Sequence, residues 1–292
     1  MLVEDITSRQ NPLVKRFRRV SAGDEHHHIF IEGVRLLEDA LLAGAHFESV
    51  AFTPALENSE RGLALLNSLK HVQCRGARVT AQVMNAIADT ETPQGVAAIV
   101  SRPRYELADA FEGEPQLIVI ADQLQDPGNL GTIIRTAEAA GASGVITTRY
   151  TVDAFNRKAL RASMGSALRL PVVTDARVAD VVAMCRERKV KLVSTHPISS
   201  REAGVIGDVA RSDSIRVYTS INLTVPVALV LGREASGTSQ GLEITADELV
   251  HIPMAPGVES LNVAAAAAVL LYEAARQRDF RFRIAAPERP RA

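Results

Sequence analysis

Only two cysteines, Cys74 and Cys185, occur in 292 residues. They lie far apart and show no metal-ligand spacing, which argues against a disulfide framework and for reduced thiols in the cytoplasm. Long apolar runs are missing too. The longest, residues 263–272, is about half of what a bilayer span needs, so no membrane association is expected. The opening MLVEDITSRQ is acidic at once and has no apolar core, so it does not read as a signal peptide. Neither sign of charge dominates: 33 basic residues face 34 acidic ones, and the whole-molecule charge announces no nucleic-acid partner. Familiar nucleotide fingerprints are absent. No G-x-G-x-x-G follows the first strand of the C-terminal repeat region, and no G-x-x-x-x-G-K-[ST] occurs anywhere. Dinucleotide dehydrogenases, P-loop enzymes and glycine-motif methyltransferases are thereby disfavoured. His26, His27 and His28 have no matching His/Cys/Asp set around them, so they read as an exposed polar turn and no metal is expected.

What is present is ordinary in amount and uneven in place. A 47% hydrophobic content supports a real core, and the length suits two domains. Between Ile6 and Gly23 five basic residues (Arg9, Lys15, Arg16, Arg18, Arg19) occur without an acid. Between Arg276 and Arg291 six arginines face Asp279 and Glu288. Basic ends on a neutral body fit local contact with phosphates, or simply solvated surface.

Residues 1–105 read as a small α/β unit. VKRFRRV and GVRLLEDALLAG have helical spacing, the second with Gly44 as a stop; HIFIEG, FESVAFT and QGVAAIV read as short strands. Residues 106–115, rich in Pro, Gly and charge, read as a linker. From 116 to 285 strands and helices alternate. QLIVIAD, SGVITT, VKLVST, VALVLG and LVHIP are strands; NLGTIIRTAEAAGA, FNRKALRASMGSA, VADVVAMCRERK and the Ala-rich segment after 262 are helices. Continuous apolar strands alternating with helices predict an α/β domain with a parallel sheet covered on both faces. Residues 286–292 remain as a tail. Ligands of such sheets bind beyond the carboxyl ends of the strands, so the loops there are where chemistry is sought.

Three of these loops stand out. In residues 122–141 Pro127-Gly128 forces a turn, Asn129 stands where an N-cap belongs, and Arg135 follows on the helix, where it could simply pair with Glu138. In residues 228–241 a buried strand ends at Leu231-Gly232 and runs into a glycine-rich loop carrying Glu234. In residues 251–265 Pro253, Pro256 and Gly257 stiffen a loop that ends with Ser260 and Asn262 at the mouth of an apolar helix. That pair could be plain helix caps or could reach toward a ligand.

In order along the chain these loops read N-L-G-x-x-x-R-T-A, L-V-L-G-x-E-x-x-G and I-P-M…S-L-N-V. The combination resembles the SpoU (TrmH) family of RNA ribose 2′-O-methyltransferases, within the SPOUT superfamily, over residues 116–278. RASMGSALRLPV matches a further family segment. ITSRQNPLVKRF, FIEGVRLLEDAL and TPQGVAAIV are similar to the RNA substrate-binding domain, of ribosomal-protein-like fold, often placed ahead of the catalytic one. The resemblance implies a parallel-sheet SPOUT domain tied in a trefoil knot, a homodimer, and S-adenosylmethionine as cofactor. By position the cofactor would be held at Gly232, Ile252 and Leu261, with Leu231, Met254 and Thr195 nearby. It implies methyl transfer to a ribose 2′-hydroxyl, in large-subunit rRNA rather than tRNA. Arg135 would be central, Asn129 would support it, Glu234 would anchor its loop, and Ser260 and Asn262 would build the site. Arg9, Lys15, Arg16, Arg18 and Arg19 would meet RNA. A tRNA 2′-O-methyltransferase, or a non-catalytic RNA-binding or ribosome-assembly factor with the same fold, is the competing expectation. Two departures from the family pattern are Ala264, where serine is common, and Glu259, where small residues are usual.

Overall fold

The computed structural model describes residues 2–88, 90–114, 116–196, 215–233, 237–258 and 260–281. Chain contacts divide them into two compact units: residues 1–104 with 155–169, and residues 105–154 with 170–286, the undescribed positions aside.

The first unit is built on a five-stranded mixed sheet. Its strands are β1 (Leu2–Ile6), β2 (His28–Glu32), β3 (Phe47–Phe52), β4 (Arg75–Val79) and β5 (Val96–Ser101), in the order β1-β4-β3-β5-β2. β4 runs parallel to β1 and β3, and β5 antiparallel to β2 and β3. Helix α1 (Pro12–Ala22) starts where Asn11 accepts the Leu13 N–H and Pro12 presets the first turn; it stops at left-handed Gly23. It buries Leu13, Val14, Phe17 and Val20, one stripe at helical spacing, which turns Lys15, Arg18 and Arg19 to solvent. Phe17 meets Phe30 of β2 edge-on, ring centroids 6.5 Å apart. Helix α2 (Val34–Leu42), α3 (Glu60–Lys70) and α4 (Ala81–Ile87) complete the layer, joined by α6 (Arg157–Ser163) and α7 (Ser166–Arg169). Arg169 pairs with Asp39 of α2 at 2.8 Å. A Cβ at Gly165 would lie 2.5 Å from the Asp39 carboxyl, so only glycine lets the α6–α7 turn sit so close.

The second unit carries a seven-stranded sheet in the order β10-β12-β9-β11-β6-β7-β8, with every pairing parallel. The strands are β6 (Leu117–Ala121), β7 (Gly144–Thr148), β8 (Val172–Ala176), β9 (Lys191–Thr195), β10 (Ile215–Val217), β11 (Val227–Leu231) and β12 (Glu248–His251). β6, β7 and β11 are buried at every residue, and β6 and β11 accordingly read as unbroken apolar runs. The described helices are α5 (Pro127–Ala139), α8 (Val178–Glu187), α9 (Gln240–Thr245) and α10 (Val263–Gln277), with α10 packed against α5. The stretch expected as a linker is partly core here. Leu107–Phe111 forms a 3-10 turn whose Ala110 and Phe111 are buried against Ile118, Ile146 and Val181. Its Pro, Gly and charges mask that apolar pair in the sequence. Cys74 and Cys185 are both free, and burial pushes the Cys185 thiol up to about 12. Among the described residues no helix is long and apolar enough to cross a membrane, and no group of His, Cys, Asp and Glu could hold a metal ion.

Candidate functional site at the carboxyl edge of the parallel sheet

Because all seven strands run the same way, the chain leaves β6, β7, β9, β11 and β12 on one edge. At that edge lies an open-mouthed cavity of about 660 Å³, its mouth included. Thr195 comes from the end of β9, Leu231 and Gly232 from the end of β11. Ile252 and Met254 follow β12, and Ser260 and Leu261 precede α10. All six residues expected at the cofactor thus line one cavity. The walls are largely apolar, completed by Val250, Val263 and Leu270.

Gly232 is dictated by sterics. A Cβ there would lie 2.2 Å from the Gly237 carbonyl oxygen and 2.4 Å from the Thr238 nitrogen. The loop after β11 folds straight back over this residue, with Arg233 N–H donating to Gly237 O (2.8 Å) and Gly237 N–H to Arg233 O (3.0 Å). Glu234 lies between them, outside the described residues.

A residue the sequence reasoning passed over secures the returning loop. Asp122, directly after β6, is 1% exposed. One carboxylate oxygen accepts the Thr148 hydroxyl at 2.6 Å and the other accepts the Ser239 N–H at 2.6 Å. Ser194 and Thr238 share a further buried hydrogen bond of 2.9 Å, so β6, β7 and β9 all hold the loop. Three more side chains at the cavity were also missed: His196, Arg233 and His251. Each stands beside a strand's carboxyl end, the signal that would have found them.

The start of α5 differs from expectation. Its N-cap is Asp126, which accepts the Asn129 N–H at 2.8 Å, and Asn129 sits inside the first turn. Asp-Pro-Gly places the cap ahead of the proline, where a fixed φ suits the first helical position. The Asn129 side chain reaches across to the next element instead, and its Oδ1 accepts from the Asn262 amide at 3.0 Å. Asn262 is itself the N-cap of α10, accepting from Ala264 N (2.9 Å) and Ala265 N (3.3 Å). One asparagine therefore caps α10 and joins its start to that of α5. Ser260, by contrast, faces the cavity.

Arg135 lies on α5 six residues beyond Asn129, about 9 Å along the axis and a third of a turn around it. Its side chain is exposed, does not line the cavity, and forms no ion pair among the described residues, the surface pair with Glu138 included. The basic residues of α1 are placed differently. Arg16 makes a double hydrogen bond with Glu48 (2.6 and 2.6 Å), and Arg19 pairs with Glu25 at 2.7 Å. Arg9, Lys15 and Arg18 are exposed. At the far end Arg276 pairs with Glu273 at 2.7 Å, and Arg278 donates to the Leu223, Val225 and Gln116 carbonyls.

Comparison with known proteins also finds two parts, although residues 155–169, which pack with the first unit, fall within the match of the second. Residues 116–272 match the SpoU rRNA Methylase family, and residues 11–98 match the MRM3-like substrate binding domain. An uncharacterized tRNA/rRNA methyltransferase of Synechocystis is 34% identical, covering 94% of this chain and 94% of its own length. The 23S rRNA (guanosine(2553)-2′-O)-methyltransferase RlmP of Bacillus subtilis is 30% identical over 92% of this chain and 98% of its own. An AdoMet-bound rRNA methyltransferase from Sinorhizobium meliloti superposes with a TM-score of 0.79 at 32% identity, over 94% of this chain and 98% of that one. The largely apolar cavity, the joined starts of α5 and α10 and these matches along nearly the whole length converge: the chain belongs to the SpoU rRNA methylase family.

Proposed function

We propose that this protein transfers the methyl group of S-adenosylmethionine to a ribose 2′-hydroxyl of large-subunit rRNA. The observation that carries the reading is the convergence of three separate loops on one cavity, beside the Asn129–Asn262 bond. The cavity's lining suits this cofactor. Leu231, Ile252, Met254 and Leu261 offer an apolar slot for an adenine ring, with Gly232 in the wall beside them. Arg233, His196 and His251 offer donors for a carboxylate. When bound, the cofactor supplies an electrophilic methyl on a sulfonium.

The protein's own residues then have to orient the hydroxyl and help remove its proton. A guanidinium has donors and no acceptor, so Arg135 serves as a phosphate clamp whose charge acts on the hydroxyl rather than as the base. Asn129 and Asn262 hold the two helix starts in register, Ser260 presents a hydroxyl to the site, and Glu234 anchors the loop after Gly232. Such an arrangement gains from a second copy. α10 leaves Ala265 and Tyr272, seven residues apart, exposed on one stripe beside α5, and a homodimer through this face would set Arg135 against the partner's site. The reading includes a trefoil knot around the cavity, a substrate-binding domain over residues 1–105 that meets RNA through Arg9, Lys15 and Arg18, a catalytic domain over 116–285, and a cytoplasmic location.

The test is direct. Purified protein, labelled S-adenosylmethionine and an unmodified 23S rRNA transcript should give label in alkali-resistant 2′-O-methyl nucleotides. Label in bases alone, or none despite cofactor binding by calorimetry, would overturn the assignment. Sedimentation should show a dimer, and a monomer would remove the two-copy site.

A further inference from the structure

We propose that Tyr150 is a stacking platform that positions a base of the substrate RNA at, or next to, the methylated nucleotide. This rests on the reading of the protein as an RNA methyltransferase.

Tyr150 lies two residues past the carboxyl end of β7, on the same sheet edge as the cavity. β7 is separated from β11, which carries Gly232, by the single strand β6. Two strand spacings are about 10 Å, roughly the span of a nucleoside. α5, with Arg135, leaves the strand between them.

Several observations converge on this residue. The residue is 79% exposed, unusual for a large aromatic, and is flanked by an exposed cation, Arg149. Its backbone is left-handed, φ 69, a conformation that non-glycine residues adopt at a cost. Among the exposed large hydrophobics of the described residues only Phe280 shares that feature, and Phe280 follows the end of α10, where a left-handed residue is an ordinary helix stop. At Tyr150 the strain is held by side chains. The Gln125 amide donates to the Tyr150 carbonyl at 2.7 Å and to the Gln123 carbonyl at 2.9 Å. Gln123 is left-handed as well, φ 56. The Gln123 N–H is bonded in turn to the Thr151 hydroxyl at 2.9 Å, and the Thr151 hydroxyl donates to Ala121 O at 3.1 Å. The Gln123 side chain accepts from Arg233, a cavity residue.

One amide thus staples two strained turns, and the staple is wired to the cofactor side of the edge. A ring that only needed solvent would need none of this. A rigid, exposed aromatic beside a cation, on the same sheet edge two strands from β11, suits a flat, anionic polymer. Stacking on an aromatic face is available to every base, so the platform fixes position more than identity.

The chain contains no tryptophan, so Tyr150→Trp introduces a single reporter. With a 23S rRNA transcript its emission should be quenched as the RNA saturates. Tyr150→Ala should raise the RNA KM roughly ten- to hundredfold while leaving calorimetric S-adenosylmethionine affinity unchanged. Tyr150→Phe should restore the KM to within a few fold. Tyr150→Asn, which accepts left-handed backbone but has no ring, should fold as stably as the parent and still show the raised KM. Unquenched emission at saturating RNA, or an unchanged KM for Tyr150→Ala and Tyr150→Asn, would overturn the proposal. If the unsubstituted protein itself binds cofactor yet methylates no RNA, the methyltransferase reading falls and this inference with it.

Discussion

Two arginine-bearing helices, one in each unit, spend their charge differently. α1 brings four basic residues into eleven, yet Arg16 is clasped by Glu48 and Arg19 by Glu25, both acids contributed from outside the helix. α5 brings one, and Arg135 meets no carboxylate among the described residues. A count of charges along the sequence would rank α1 far above α5 as the phosphate-seeking element. The folded chain narrows that ranking from four cations against one to two, Lys15 and Arg18, against one, because a guanidinium already bonded to a carboxylate has little left for an RNA phosphate. Arg135, with no carboxylate beside it among the described residues, is open to a phosphate, the role proposed for it above.

The contrast can be broken hardest at the cavity that Arg135 is meant to serve. Gly232→Ala should lower S-adenosylmethionine affinity by more than a hundredfold, since its methyl would meet the Gly237 backbone at 2.2 Å and spread the loop. Calorimetry checks this, and retained affinity would show that the loop folds back for some other reason. Arg135→Ala follows. Methyl transfer should fall on the order of a thousandfold, comparable to loss of a main electrostatic donor, while Tm and cofactor affinity stay put. A drop in Tm would mean that Arg135 is structural after all. Asp122→Asn should cost about 1–3 kcal/mol in a denaturant titration, because one of two buried donors, the Ser239 N–H or the Thr148 hydroxyl, loses its acceptor. An unchanged midpoint would remove Asp122 from the loop's support.

These residues also mark what could be read from the sequence. β6 and β11 were plain, because strands buried on both faces show unbroken apolar runs. β1 and β4 were not. β1 is an edge strand exposed at four of five residues, and β4 is RGARV, so neither shows alternation or an apolar run. The placing of Gly232, Ile252 and Leu261 at one site came from the ordered loops and the family resemblance. The partnerships did not come that way. Asp122 with Ser239 spans 117 residues, and Asn129 with Asn262 spans 133. No local pattern encodes such a pair, because each donor and acceptor is common and only the threading of the strands selects which two meet. The mistaken cap had a local cause: Asp126 and Asn129 are both good N-caps, and the proline between them decides in favour of the first.

The smallest effect expected lies in α1 and sharpens the contrast from the other side. Arg16 holds the Glu48 carboxyl below its ordinary value of 4.5, chiefly through the double hydrogen bond, with burial opposing and the charge of His28 assisting. A carboxyl whose folded value is depressed stabilises the protein above the unfolded value, and that contribution is lost as pH falls through the folded one. Arg16→Ala should therefore cost about 1 kcal/mol at neutral pH, the scale of a partly exposed pair. The difference from the parent should shrink as pH drops below 4.5 and Glu48 takes up its proton in both proteins. Paired denaturant titrations across that range would show the two curves converging. If they ran parallel, the Arg16–Glu48 pair would contribute no linkage and Arg16 would be free to meet phosphate. In that case Arg16→Ala should weaken RNA binding as much as Arg18→Ala does, which is the opposite of what its present partner implies.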